Sequence, residues 1–248
     1  MTSLNTTTLK EIVTQDFRAA AIFEKFALDF CCNGGVTIEQ ACAARRLDAA
    51  PIIAALGNLG RSPLPPDDRF TRLALEDLIE HIVTVHHSYV RDAIPTLLTH
   101  TAKVARVHGE RHPEVVTIAE RFAAVADELQ HHMMKEERIL FPYVTALARA
   151  RREGRHMAPP PFGSAANPIR MMEAEHVAAG DALATIRSLS DTYTTPADAC
   201  TTYQVTYQEL RQFEEDLHTH VHLENNILFP GAIALENGAA AAHRSPIA

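Results

Sequence analysis

The stretches HMMKEERILFP (132–142) and HVHLENNILFP (220–230) both read H-x3-E-x2-ILFP. A repeated ILFP alone could reflect similar core packing, but a histidine and a glutamate at the same offset in both copies mark an internal repeat. Four residues apart on a helix, the two side chains lie one above the other and can address the same point. Phe122, Val125, Leu129, His132, Glu136, Ile139 and Tyr143 recur every three or four residues and predict one inward seam. Leu210, Phe213, Leu217, His220, Glu224 and Ile227 predict a second. Each His and Glu thus falls among core positions, where a charge is costly unless paired or bound to metal. His131, His218 and His222 share faces with Lys135, Arg138, Glu215 and Asn225, which predicts that these three face solvent.

Each copy has a partner segment upstream. Ile169, Met172, His176, Ala179, Leu183 and Ile186 form a third seam, and Val83, His87, Val90, Ile94 and Leu97 a fourth. In the last, Leu75, Ile79, Ile82, His86 and Tyr89 form an almost equal seam, so periodicity does not choose between His86 and His87. Four histidines and two glutamates at one level exceed what a single tetrahedral zinc takes. They suit two metal ions, each with two terminal imidazoles, the carboxylates bridging and an oxygen species able to complete the bridge. Mixed imidazole and carboxylate donors with open positions favour iron over zinc or magnesium, with manganese as the alternative.

The four seams follow a Pro- and Gly-rich stretch, GRSPLPPDD (60–68), and are split into pairs by RREGRHMAPPPFGSAANP (151–168). No alternating β pattern occurs, so the fold class is all-α: a small N-terminal helical domain (1–62), a four-helix bundle of two hairpins (70–235) and a flexible tail (236–248). In the first domain LKEIVTQDFRAAAIFEKFAL (9–28) predicts one helix ended by the glycines of NGG, Thr37 and Gln40 a capping box, and PIIAALGNL (51–59) a further helix. Hydrophobic content of 46% and mixed charge indicate a soluble globular chain. A net charge of −8 without a basic stripe argues against nucleic acid, and the absence of a long apolar run argues against a membrane span. Four cysteines without a secretion signal predict a reducing, cytoplasmic compartment. The composition stands out in its 14 histidines, beside ten Phe, five Tyr and no Trp.

The combination of DFCCNGG (29–35) with the two H-x3-E repeats resembles the repair-of-iron-centres family, di-iron iron–sulfur cluster repair proteins with an N-terminal Cys-Cys domain and a hemerythrin-like bundle. The resemblance runs from the first helix to about residue 230. It implies His87, His132, Glu136, His176, His220 and Glu224 as ligands of two iron ions, oxo- or carboxylate-bridged, and so selects His87 over His86. It implies Glu128 and Glu175 as acids lining access to the metals, the alternative being solvated helix-face carboxylates. Fewer histidines than in oxygen-carrying hemerythrins imply more open or labile iron. The implied function is stress-linked repair of clusters damaged by nitric oxide or oxidants, with damaged iron–sulfur proteins as clients. Nitric oxide binding or reduction is the alternative. The sequence assigns no catalytic side chain and leaves monomer and homodimer both open.

Adjacent Cys31 and Cys32 could close a disulfide only in a strained ring. At the predicted C-terminus of a helix, they would also meet the negative end of its dipole, which opposes a low thiol pKa. They are expected to form a thiol site outside the di-iron ligand set that handles iron in transit, takes electrons or docks a client. Cys42 and Cys200 are expected to be plain buried thiols.

Overall fold

The apolar seams fold into four helices, α5 (75–108), α6 (114–152), α7 Ala166–Leu189 and α8 (201–242). The computed structural model describes residues 6–61 and 67–242, without the side chains of 239–242. α5 packs on α6, α6 on α7, and α8 closes the ring against α5 and α7, giving a four-helix bundle. Among the described residues there is no β-strand, only an isolated bridge between Thr8 and Thr37. No described helix is long and apolar enough to cross a membrane.

α7 obeys the expected period throughout: Ile169, Met172, His176, Ala179, Leu183 and Ile186 are its buried residues. The other three helices do not. α5, α6 and α8 each contain one wide π turn, at Ile82–His87, Glu136–Leu140 and Glu224–Leu228. A π turn adds a residue to the helix and rotates everything beyond it by about 100°. The seam predicted through Ile139 therefore fails: Ile139 is 48% exposed and Leu140 is buried in its place. In the second repeat Leu228 takes the fully buried position predicted for Ile227. The prolines of ILFP explain the location, because Pro142 and Pro230 have no N–H to donate to the carbonyl four residues back. In α5 the π turn explains the two equal seams. Leu78 and Ile79 face inward before it, Ile82 at its start, Val90, Ile94 and Leu97 after it, and both His86 and His87 are buried at the change of phase.

The N-terminal unit comprises α1 Leu9–Gln15, α2 Ala19–Lys25, α3 Ile38–Arg45 and α4 Ala50–Gly60. Both Thr8/Glu11 and Thr37/Gln40 form capping boxes. The single helix predicted for 9–28 is two, because Asp16 ends α1 in extended backbone and turns its carboxylate onto the N–H groups of Arg18 and Asp67. α2 ends at Lys25, with Ala27 taking the left-handed conformation (φ 53°), not at NGG. Gly34 serves close approach instead: a Cβ there would lie 2.2 Å from the Phe30 carbonyl oxygen. The predicted boundary at 62 and most of GRSPLPPDD lie outside the described residues.

This unit covers the outer face of the bundle along α7 and α8, and its apolar residues belong to the same core cluster as most of the bundle's. His222, predicted to face solvent, is fully buried because the rings of Phe30 and Phe17 lie 5.6 and 6.1 Å from it. His218 is largely covered, its side chain 15% exposed, and bonds Glu24 on α2 at 2.7 Å. His131 alone of the three is exposed as expected. Position 236 does not begin a tail, since α8 continues to Ala242. The Glu236 carboxylate accepts hydrogen bonds from Tyr143 Oη (2.5 Å), Ser164 Oγ (2.6 Å) and the Ala165 N–H (3.1 Å), fastening α8 to α6 and to the start of α7. Residues 243–248 of the predicted tail lie outside the described residues.

Burial opposes ionisation of Glu236, but these donors outweigh it and hold its carboxyl below the usual range. A folded pKa below the unfolded value stabilises at pH above the unfolded pKa, and the contribution fades as pH falls through the folded pKa. Glu236→Leu is expected to cost about 1.5–3 kcal/mol at neutral pH, the scale of a hydrogen-bonded charge. Thermal unfolding should show the gap to the parent protein narrowing as pH drops below about 4.3. A gap constant with pH would mean that the carboxylate charge contributes nothing.

Candidate metal centre

The three π turns fall at the level of the predicted ligands, with His87 ending one and Glu136 and Glu224 beginning the others. Glu136 and Glu224 face inward, four residues on from His132 and His220, and both carboxylates are 0% exposed. All six predicted residues come together there, in two groups that share both glutamates: His87, Glu136, His220, Glu224 and His132, Glu136, His176, Glu224. Within each group the ligand atoms lie within 4.8 Å of one another.

The oxygens divide between the two groups. Glu136 Oε2 lies 3.4 Å from His87 Nε2, and its Oε1 3.4 Å from His132 Nε2. Glu224 Oε1 lies 3.0 Å from His220 Nε2, and its Oε2 3.2 Å from His176 Nε2. Each carboxylate thus spans the two histidine pairs, as a bridging ligand does. The imidazole nitrogens of a pair face each other, at 3.1 Å for His87 and His220 and 2.9 Å for His132 and His176. Each pair combines one histidine from each helical hairpin.

The outer nitrogens fix the tautomers. His87 Nδ1 meets Glu137 Oε1 at 2.6 Å, His132 Nδ1 meets Glu175 Oε2 at 2.7 Å, and His176 Nδ1 meets Asn225 Oδ1 at 2.8 Å. A proton held on Nδ1 by an acceptor leaves the Nε2 lone pair of the neutral ring aimed at the centre, the usual arrangement for a metal-binding histidine. His220 Nδ1 meets no hydrogen-bond partner among the described residues; its ring stacks on His86, whose Nδ1 bonds Asp216 at 2.9 Å. Helical periodicity does not point to Glu137 or Asn225. Both directly follow the motif glutamate, and each serves the histidine of the other helix in its own hairpin, so the repeat carries the signal.

Electrostatics show the same demand for cations. Burial alone would strip the protons from His87 and His132, yet the carboxylates of Glu136 and Glu224 raise them to about 10 and about 9. Burial likewise opposes ionisation of Glu224, but His220, His176 and His87 hold its carboxyl well below the usual range. Among the described residues, both oxygens of Glu136 and Oε2 of Glu224 meet no hydrogen-bond donor. The buried carboxylates draw protons onto the imidazoles that face them, and a pair of divalent or trivalent cations would take the place of those protons. Mixed N and O donors with open positions fit iron.

Two clefts approach the centre. One of about 430 Å³ is lined by Glu128, His132, Lys135, Glu175 and His176, so Glu128 and Glu175 line the same cleft as two of the predicted ligands. Glu128 is exposed on its wall, whereas Glu175 binds both His132 and Lys135. The other, of about 350 Å³, is lined by Cys31, Cys32, His176, Gly180 and His218. His87 and His220 line neither. Glu175→Leu leaves His132 Nδ1 without its acceptor and is expected to weaken metal binding about 10–100-fold. Competition against a chelator measures this; unchanged affinity would reduce Glu175 to a surface carboxylate.

The cysteine pair does not sit at a helix end. It follows α2 by six residues, in a turn held by Asp29, whose Oδ1 accepts from the N–H groups of Cys31 (3.0 Å) and Cys32 (2.9 Å). The Cys31 thiol is pushed well up, by Cys32, by burial and by the Asp29 charge, and not by a helix dipole. All four cysteines are free. Cys42 is buried as expected, but Cys200 is exposed, at the loop position preceding α8, with its Sγ 3.2 Å from His108 Nε2.

Comparison with known proteins agrees with this architecture. Residues 78–232 match the hemerythrin HHE cation binding domain, and residues 5–60 match a domain of unknown function, DUF542. The "Iron-sulfur cluster repair protein YtfE" of Enterobacter sp. (strain 638) is 38% identical over 92% of this chain and 97% of its own. Proteins of the same name from Musicola paradisiaca (strain Ech703) and Escherichia coli (strain K12 / DH10B) are 40% and 36% identical. They cover 87% and 92% of this chain, and 91% and 97% of their own.

Proposed function

This chain belongs to the family of iron–sulfur cluster repair proteins built on the hemerythrin HHE cation-binding domain, and we propose that it supplies iron to clusters damaged by nitrosative or oxidative stress. The iron is cargo held as two ions by His87, His220, His132 and His176, with Glu136 and Glu224 spanning both. The observation that carries the reading is the division of each buried carboxylate between two histidine pairs, one oxygen to each. A store must bind iron and also let it go. The six side chains fill fewer positions than two octahedral ions offer, and two clefts reach His176. The clients are damaged iron–sulfur proteins, and the setting is the cytoplasm.

The test is direct. Iron-loaded protein should restore activity to an iron–sulfur enzyme inactivated by nitric oxide or oxidant, and Glu136→Leu protein, prepared identically, should not. Equal restoration by the variant would overturn iron supply. A second reading, nitric oxide binding at the centre, is supported by the cleft that opens beside His132 and His176, roomy enough for a diatomic ligand. Anaerobic titration of the reduced, iron-loaded protein with nitric oxide would produce a nitrosyl spectrum if it holds; an unchanged spectrum and no gas product would exclude it.

A further inference from the structure

We propose that Asp29, Cys31 and Cys32 form a second metal site, a thiolate–carboxylate cup for a thiophilic divalent ion such as Fe(II), placed to receive an ion from the His132/His176 half of the centre. The two sulfurs lie 3.7 Å apart, and Cys31 Sγ lies 3.2 Å from Asp29 Oδ1. Two thiolates bound at about 2.3 Å to one tetrahedral ion would stand about 3.8 Å apart, so the pair needs almost no rearrangement to chelate. One ligand atom from each of the three residues falls within the span of a single ion's shell. The turn is already built: Asp29 Oδ1 accepts the N–H groups of both cysteines, and Oδ2 accepts from the Asn33 backbone (3.2 Å) and side chain (2.8 Å). Three protein donors leave the fourth position open toward the cleft that Cys32 lines, the form of an exchange site. Binding would release the two thiol protons to solvent and involves no change of oxidation state.

The cup stands next to one half of the centre and not the other. His176 and Gly180 line its cleft, one helical turn apart on α7, and the Cβ position of Gly180 lies 3.8 Å from Cys32 Sγ. Asn225 ties the two sites directly: its Oδ1 accepts from His176 Nδ1, and its Nδ2 donates to the Cys31 carbonyl at 3.5 Å. The direction of transfer rests on the iron-supply reading, whereas the existence of the cup does not.

Cd(II) tests the cup without any repair assay. Iron-loaded protein carrying Cys200→Ser, which removes the exposed thiol, should bind one further Cd(II) per chain with a thiolate-to-metal charge-transfer band. Cys32→Ser should abolish the band, and Asp29→Asn, which keeps an acceptor for the turn, should weaken binding at least tenfold. Iron content should be unchanged in both, which separates loss of the cup from misfolding. No band, or one that survives Cys32→Ser, would overturn the proposal. Failure of cluster repair with the Cd(II) result intact would count against iron supply and leave the cup standing.

Discussion

Glu224→Leu is expected to remove both metal ions, taking iron per chain from about two to near zero. The reason is the sharing of one carboxylate between two histidine pairs, with Oε1 toward His220 and Oε2 toward His176. Two imidazoles and one remaining carboxylate would have to hold each ion, and the charge balancing two cations in a fully buried site would be halved. His176→Ala should behave differently. It removes a donor from one group only, so iron should fall toward one per chain while His87 and His220 keep theirs. Metal analysis after desalting, run on both variants beside the parent, checks the contrast. A Glu224→Leu protein that retains one iron would show that the carboxylates serve separate ions and do not bridge.

Phe30→Ala is expected to lower stability by about 3–5 kcal/mol, the range for truncating a fully buried aromatic. Phe30 is 1% exposed and lies at the join between the N-terminal unit and the bundle. Its ring is 6.3 Å from Phe23 within the unit, 5.6 Å from His222 and 6.3 Å from His218 on α8. The cavity would thus open on the segment that directly precedes Cys31 and Cys32. Denaturant unfolding gives the magnitude, and the rate of Cys32 alkylation gives its location, since undocking should raise it. The bundle ligands are held by α5 to α8, so bound iron should persist. A loss below about 1 kcal/mol with unchanged alkylation would mean that Phe30 is not what docks the unit.

Burial also settles how the rings around Phe30 titrate. His222, enclosed by Phe30 and Phe17 and bonded through Nδ1 to Asn226, is driven down to about 4 by burial. His218, though also buried, is raised because Glu24 sits against it. Four residues apart on α8, the pair respond oppositely because one meets hydrocarbon and the other a carboxylate. Their spacing in the sequence reveals neither partner.

The H-x3-E repeat by itself determined that two imidazoles and two carboxylates face a common core, because a fixed four-residue spacing on a helix admits one relative placement. The unbroken period of α7 likewise fixed His176 as inward. What sequence could not decide is where a helix changes phase. The π turns on α5, α6 and α8 moved the buried positions from Ile139 to Leu140 and from Ile227 to Leu228, and allowed His86 and His87 to be buried together. Periodicity assumes a constant rise and rotation, and a single inserted residue breaks that assumption, marked in α6 and α8 by the proline of ILFP and in α5 by no residue of the turn. Nor could sequence pair His87 with His220 and His132 with His176, since helices far apart in the chain meet only through packing. The same holds for His222 and the cysteine turn. A face that is outermost in a four-helix bundle becomes interior once a second unit covers it, and only the folded chain brings Cys31 and Cys32 to the cleft beside His176.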